Sequence, residues 1–122
     1  MFPDDFENLE FIAEEPILIQ DVAGERRTGR ILLGLPVFYE GDEKWPKCWY
    51  CFFVLEGLHP PRMIAGASVL HSLLLSLKFI QDKLDDFIES GGAILNEDGS
   101  CFYLPHKIRI DISDQKLVEV SD

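Results

Sequence analysis

The first fifteen residues contain no lysine, arginine or histidine. They hold six acids instead, Asp4, Asp5, Glu7, Glu10, Glu14 and Glu15, which supply more than half of the chain's net charge of -11. Other absences narrow the field. Cysteine is scarce and odd in number (Cys48, Cys51, Cys101), which argues against a disulfide framework and fits a reducing compartment. No long apolar run occurs. The richest stretch, residues 69–80, is interrupted by His71, Ser72, Ser76 and Lys78 and is too short and too polar to span a bilayer. Met1 is followed by Phe2, Pro3 and acids, not by a basic and then apolar stretch, so no secretory leader is expected and the expected location is the cytoplasm. The glycines form neither a dinucleotide fingerprint nor a phosphate loop. Arg26-Arg27 is too small a basic footprint for nucleic acid against this net charge, and an acidic surface repels anionic membranes as well.

What remains is a chain of 122 residues, 47% hydrophobic and 11% aromatic, enough for one domain over residues 1–122 with a real core. Residues 1–15 read as an acidic lead-in, irregular or helical, because Phe2, Phe6, Leu9 and Ala13 have helical spacing. A strand is expected over 16–22, a turn over 24–29 and a strand over 30–39, with Gly34 and Pro36 marking a bulge or an edge. Residues 47–56 are apolar on both alternating faces, the pattern of a central strand, and 57–61 end it. The strongest element is a helix over 67–90. Leu70, Leu73, Leu77, Ile80, Leu84 and Phe87 form its apolar stripe, Ser68 is its candidate cap, and Gly91-Gly92 end it about 35 Å later. A hairpin over 93–104 turns at Asp98-Gly99, and strands are expected over 107–112 and 117–120. Strands on both sides of one long helix imply an α+β fold, an antiparallel sheet of about five strands in the order β-β-β-α-β-β with the helix on one face.

Catalytic chemistry finds little to stand on. Cys48-Trp49-Tyr50-Cys51 has redox or zinc spacing, but it lies in an expected strand, where positions three apart face opposite ways, and no second pair completes a zinc site. His59, His71 and His106 are scattered without metal spacing. Ser68, Ser72 and Ser76 share one helix face, where small residues allow close packing on a sheet, and no nucleophile elbow is present. No catalytic residue, metal or cofactor is expected.

Binding fits better. Asp82, Asp85, Asp86 and Glu89 sit at helical spacing on one face, with few basic partners. The charged loop around Trp45 adds Glu40, Asp42 and Glu43, with Trp45 itself either an interface anchor or a cap folded back on the sheet edge. These eight residues are the candidate partner-binding set.

Leu33-Gly34-Leu35-Pro36, then Trp49 and Cys51, Leu55-Glu56-Gly57-Leu58, and Ile64-Ala65-Gly66-Ala67-Ser68 leading into Leu73-Leu74-Leu75-Ser76-Leu77 resemble a small bacterial domain family of unknown function over residues 16–90. The chain departs from that pattern at Ala67-Ser68, where the pattern carries an acid. In size, acidity and type the chain also resembles immunity proteins of toxin systems, contact-dependent growth inhibition included. That second resemblance implies a cytoplasmic protein that neutralises a cognate basic toxin domain, such as a nuclease. The competing expectation is a structural or regulatory domain that self-associates through the strand bearing Pro36 and the apolar strand over 47–56, a homodimer.

Overall fold

Cys51, Phe53 and Leu55 point to one side of their strand and Tyr50 and Phe52 to the other, and all five are buried. A strand buried on both faces needs neighbours on both edges and cover above and below. The computed structural model, which describes residues 10–102 and strand residues 108–111 and 116–119, gives it the neighbours. Five strands come first: β1 (Phe11–Gln20), β2 (Arg26–Gly34), β3 (Val37–Tyr39), β4 (Cys48–Leu55) and β5 (His59–Gly66). The helix α1 (Val69–Glu89) follows, then β6 (Ala93–Leu95), β7 (Ile108–Asp111) and β8 (Lys116–Glu119).

Strands β1 to β6 form one antiparallel sheet, and α1 packs on one face of it, an α+β architecture. Strand β4 is its centre. Strand β5 runs along one edge of β4, and β2 and β3 lie end to end along the other, through Leu33↔Phe53 and Val37↔Tyr50. Beyond β2 come β1 and then β6, joined at Leu18↔Leu95. The core lies between sheet and helix. Ile17, Ile19, Ile31, Leu33, Cys51, Phe53, Leu55 and Ile94 meet Ile80 and Leu84 there.

The helix starts and stops where elementary chemistry dictates. Ser68 has extended backbone, and its hydroxyl accepts the His71 N–H at 3.0 Å, an N-cap. At the other end Gly91 adopts φ +104°, its N–H donates to Ile88 O and the Gly92 N–H to Phe87 O, the paired bonds of a Schellman stop. The fully sequestered line along α1 is Ser72, Ser76, Ile80 and Leu84. Leu73, Leu77 and Phe87 flank it, whereas Leu70, expected in the stripe, is 62% exposed. The buried seam is therefore turned toward the serines. Their hydroxyls bond back along the helix, Ser72 to Val69 O at 3.0 Å and Ser76 to Ser72 O at 2.8 Å, so neither is left unsatisfied.

Several boundaries move. Strand β1 begins at Phe11, so residues 11–15 belong to the sheet and not to a helical or irregular lead-in; residues 1–9 lie outside the described part. Strand β2 begins at Arg26, paired with Gln20 of β1; the Arg26 side chain also reaches Gln20 Oε1 at 2.9 Å, and Arg27 reaches Gly57 O at 2.7 Å in the turn after β4. The turn shrinks accordingly, with the Asp21 carboxylate accepting the Ala23 and Glu25 N–H groups. The strand expected over 30–39 breaks at Leu35-Pro36. Strand β5 was not expected at all, since Pro60-Pro61 read as a stop. On an edge strand the missing N–H groups are tolerated. Finally β7 and β8 pair with each other, Asp111↔Lys116 to Ile108↔Glu119, as a ribbon of their own and not as further strands of the main sheet.

Candidate partner-binding surface

All four helix acids are exposed, and they occupy the side of α1 away from its buried seam. Asp82 is compensated, through the Lys78 ammonium at 2.5 Å one turn earlier. Asp85, Asp86 and Glu89 make no ion pair among the described residues. No basic residue stands in the last turn of α1. These acids crowd the end of the helix where the carbonyl dipoles are already negative, the end that favours cations. Their mutual repulsion adds to that penalty.

The loop contributes differently. Asp42 is a structural hub. One carboxylate oxygen accepts the Lys44 N–H at 2.8 Å and the Trp45 N–H at 2.7 Å, the other accepts the Tyr39 hydroxyl, and the Asp42 N–H donates to Trp45 O. The Tyr39 hydroxyl, then those two amides, hold the Asp42 carboxyl below the usual carboxylate range. Trp45 folds back. Its ring meets Tyr50 edge-on at 5.9 Å, and its Nε1 is buried with no hydrogen-bond partner among the described residues. Tyr50 also donates to Pro46 O at 2.7 Å, which fixes the loop to β4. Only Glu40 and Glu43 remain as exposed acids without a structural task.

Helix acids and loop acids do not converge. Tyr50 faces away from α1, because its neighbour Cys51 faces the helical core. The loop therefore caps the opposite side of the sheet, near the end where α1 begins, while the acids stand near the end where it stops.

A depressed carboxylate stabilises the fold above its unfolded titration and loses that contribution as pH falls through the folded one. Asp42→Ala is accordingly expected to loosen the loop and shift Trp45 emission to the red at neutral pH. In the unaltered protein the same shift is expected only below the ordinary carboxylate range. Emission unchanged by the substitution would mean that Asp42 does not order the loop.

A basic cluster escaped the sequence because its parts lie on separate elements, one of them the unexpected β5. The Arg62 guanidinium carbon sits 4.7 Å from the Phe79 ring centre and the Lys83 Nζ 5.3 Å from it, with His59 edge-on at 5.3 Å. The cations cover a half-buried ring, as long basic side chains do.

The cysteines and histidines assemble nothing comparable. Cys48 donates to Gly66 O at 2.9 Å and Cys51 to Gly34 O at 3.5 Å, and burial pushes the Cys51 thiol up, which keeps it protonated. Among the described residues no group of three histidines, cysteines or acids is placed to hold a metal, and no helix is long and apolar enough to cross a membrane. His106 lies outside the described residues. Compared with known proteins, the chain matches no family model, no curated protein and no solved structure.

Proposed function

We propose that the chain is a cytoplasmic immunity-type inhibitor whose α1 acids bind a basic toxin domain. One observation carries the reading: Asp85, Asp86 and Glu89 lie exposed, and without ion pairs among the described residues, at the unfavourable end of a helix dipole. A cationic partner would relieve both the dipole penalty and the like-charge repulsion, so binding gains what folding loses. Steering by the net charge of -11 would speed the encounter. Resemblance in size and acidity to immunity proteins supplies the analogy. Asp82 contributes field, and Glu40 and Glu43 long-range attraction, from the far side of the sheet. Asp42 and Trp45 act by holding their loop.

The test is affinity capture from the native organism's lysate at moderate salt. The expected result is one stoichiometric basic protein that arrests growth when produced without the inhibitor. With that protein purified, Asp85→Lys/Asp86→Lys should slow association about ten-fold at low salt. The difference should shrink toward 1 M salt, where the Debye length is about 3 Å. A bait that retains nothing, or association that the double reversal leaves unchanged, would sink the proposal.

Self-association through the strand bearing Pro36 and residues 47–56 has less to support it, since Pro36 falls in the break between β2 and β3. Strand β4 is paired on both edges and offers no backbone to a second copy.

A further inference from the structure

His71 occupies the position three after the cap, where a glutamate or glutamine usually closes a capping box. Here the imidazole reaches back one residue further, to the residue before the cap. Its backbone N–H donates to Ser68 Oγ at 3.0 Å, and its ring Nδ1 accepts the Ala67 N–H at 2.9 Å. A backbone N–H can only donate, so Nδ1 must offer its lone pair and the ring proton must sit on Nε2. We infer that His71 is a proton-operated latch on the start of α1, closed with the ring neutral and open with it charged.

The argument is stereochemical. Protonation places an N–H on Nδ1, directed at the Ala67 N–H, so the charged ring and the closed cap exclude each other. The positive end of the helix dipole acts in the same direction. No carboxylate lies within 4.0 Å of the ring among the described residues to hold the charged form in place. Strand β5 meets this end of the helix at Gly66 and offers no titratable group from Met63 to Gly66; its Arg62 is on Phe79, two turns further along α1. Strand β4 brings the Cys48 thiol, which is bonded to Gly66 O. Strand β6 brings no titratable group, and β7, which also packs on α1, carries Arg109 and Asp111. On the helix itself Lys78 is paired with Asp82. Opening the latch frees the Ala67 N–H and the first turn, where Val69 and Leu70 are already 41% and 62% exposed.

Nitrogen-15 NMR of the full chain between pH 8 and pH 5 tests the latch, since histidine changes charge in that range. At pH 8 the His71 ring is expected in the Nε2–H tautomer. As it titrates, Ala67 amide protection, corrected for intrinsic exchange, should fall about five-fold relative to the β4 amides, the size of a lost cap. His71→Gln keeps an acceptor that does not titrate in this range and leaves every other titrating group in place, so its profile should stay flat. A ring proton on Nδ1 at pH 8 would overturn the inference, and so would Ala67 protection that is unchanged through the titration or falls equally in His71→Gln.

Discussion

Phe53→Ala is expected to remove about 3–5 kcal/mol of stability, read as the shift of a urea unfolding midpoint. Phe53 is 1% exposed at the middle of β4, paired with Leu33 on one side and Arg62 on the other. Its ring stands 5.3 Å from that of Phe79 and belongs to the cluster that joins β1, β2, β4 and β6 to α1. Its strand neighbours are held by their own pairing and the helix by its seam on the sheet, so the space left behind closes only in part. The loss is a large fraction of the roughly 5–15 kcal/mol that holds a domain of ordinary stability. Phe38→Ala supplies the comparison. That ring is 37% exposed on β3, and its removal should cost well under half as much. Equal losses at the two positions would mean that the core is not centred on β4.

Gly66→Ala is expected to cost about 2–3 kcal/mol for the opposite reason, excess and not deficit of atoms. A Cβ at Gly66 would stand 2.4 Å from Ser72 N and 2.6 Å from Ser72 Cα. Both are backbone atoms of α1, so no side-chain rotation relieves the contact, and the helix must lift from β5. Faster amide exchange in the first two turns of α1, with β1 and β2 unaffected, would accompany the loss. A change below about 0.5 kcal/mol, the range of an ordinary surface substitution, would show that the helix does not seat here.

Elements whose residues carry their own instructions could be read in advance. Ser68, Gly91-Gly92 and the leucines between them specify a helix and both of its ends, and the apolar run through Phe52 and Phe53 specifies a central strand. Strand β5 could not be read, since Pro60-Pro61 break a strand everywhere except at an edge, and edges are decided by the rest of the sheet. The close packing that small serines allow was legible, and Ser72 and Ser76 are buried against the sheet, Ser72 beside Gly66; the leucine stripe placed the centre of the seam too far toward Leu70, which is exposed. The candidate surface was legible as charge and illegible as geometry. Acid spacing put four carboxylates on one helical face, and of the two readings open for Trp45 the structure takes the folded-back one, but nothing in the order of residues 40–45 says that Asp42 binds two amides of its own loop. The cations around Phe79 were invisible for the same reason, being brought together from positions 59, 62 and 83.

The register Leu18↔Leu95 joins β1, the first described strand, to β6, with the helix and four strands between them in the chain. Such a closure forms late. During synthesis β1 can zip to β2, and β4 to β5, while the edge of β1 waits for a strand of three residues that leaves the ribosome after the whole of α1. Closing a loop of this length carries an entropic cost that only the finished contacts offset, so folding on the millisecond-to-second scale of non-local β topologies is expected. Until then the edge of β1 at Leu18–Gln20 lacks its partner strand, an opening at which like charge on the chain disfavours pairing with a neighbouring copy.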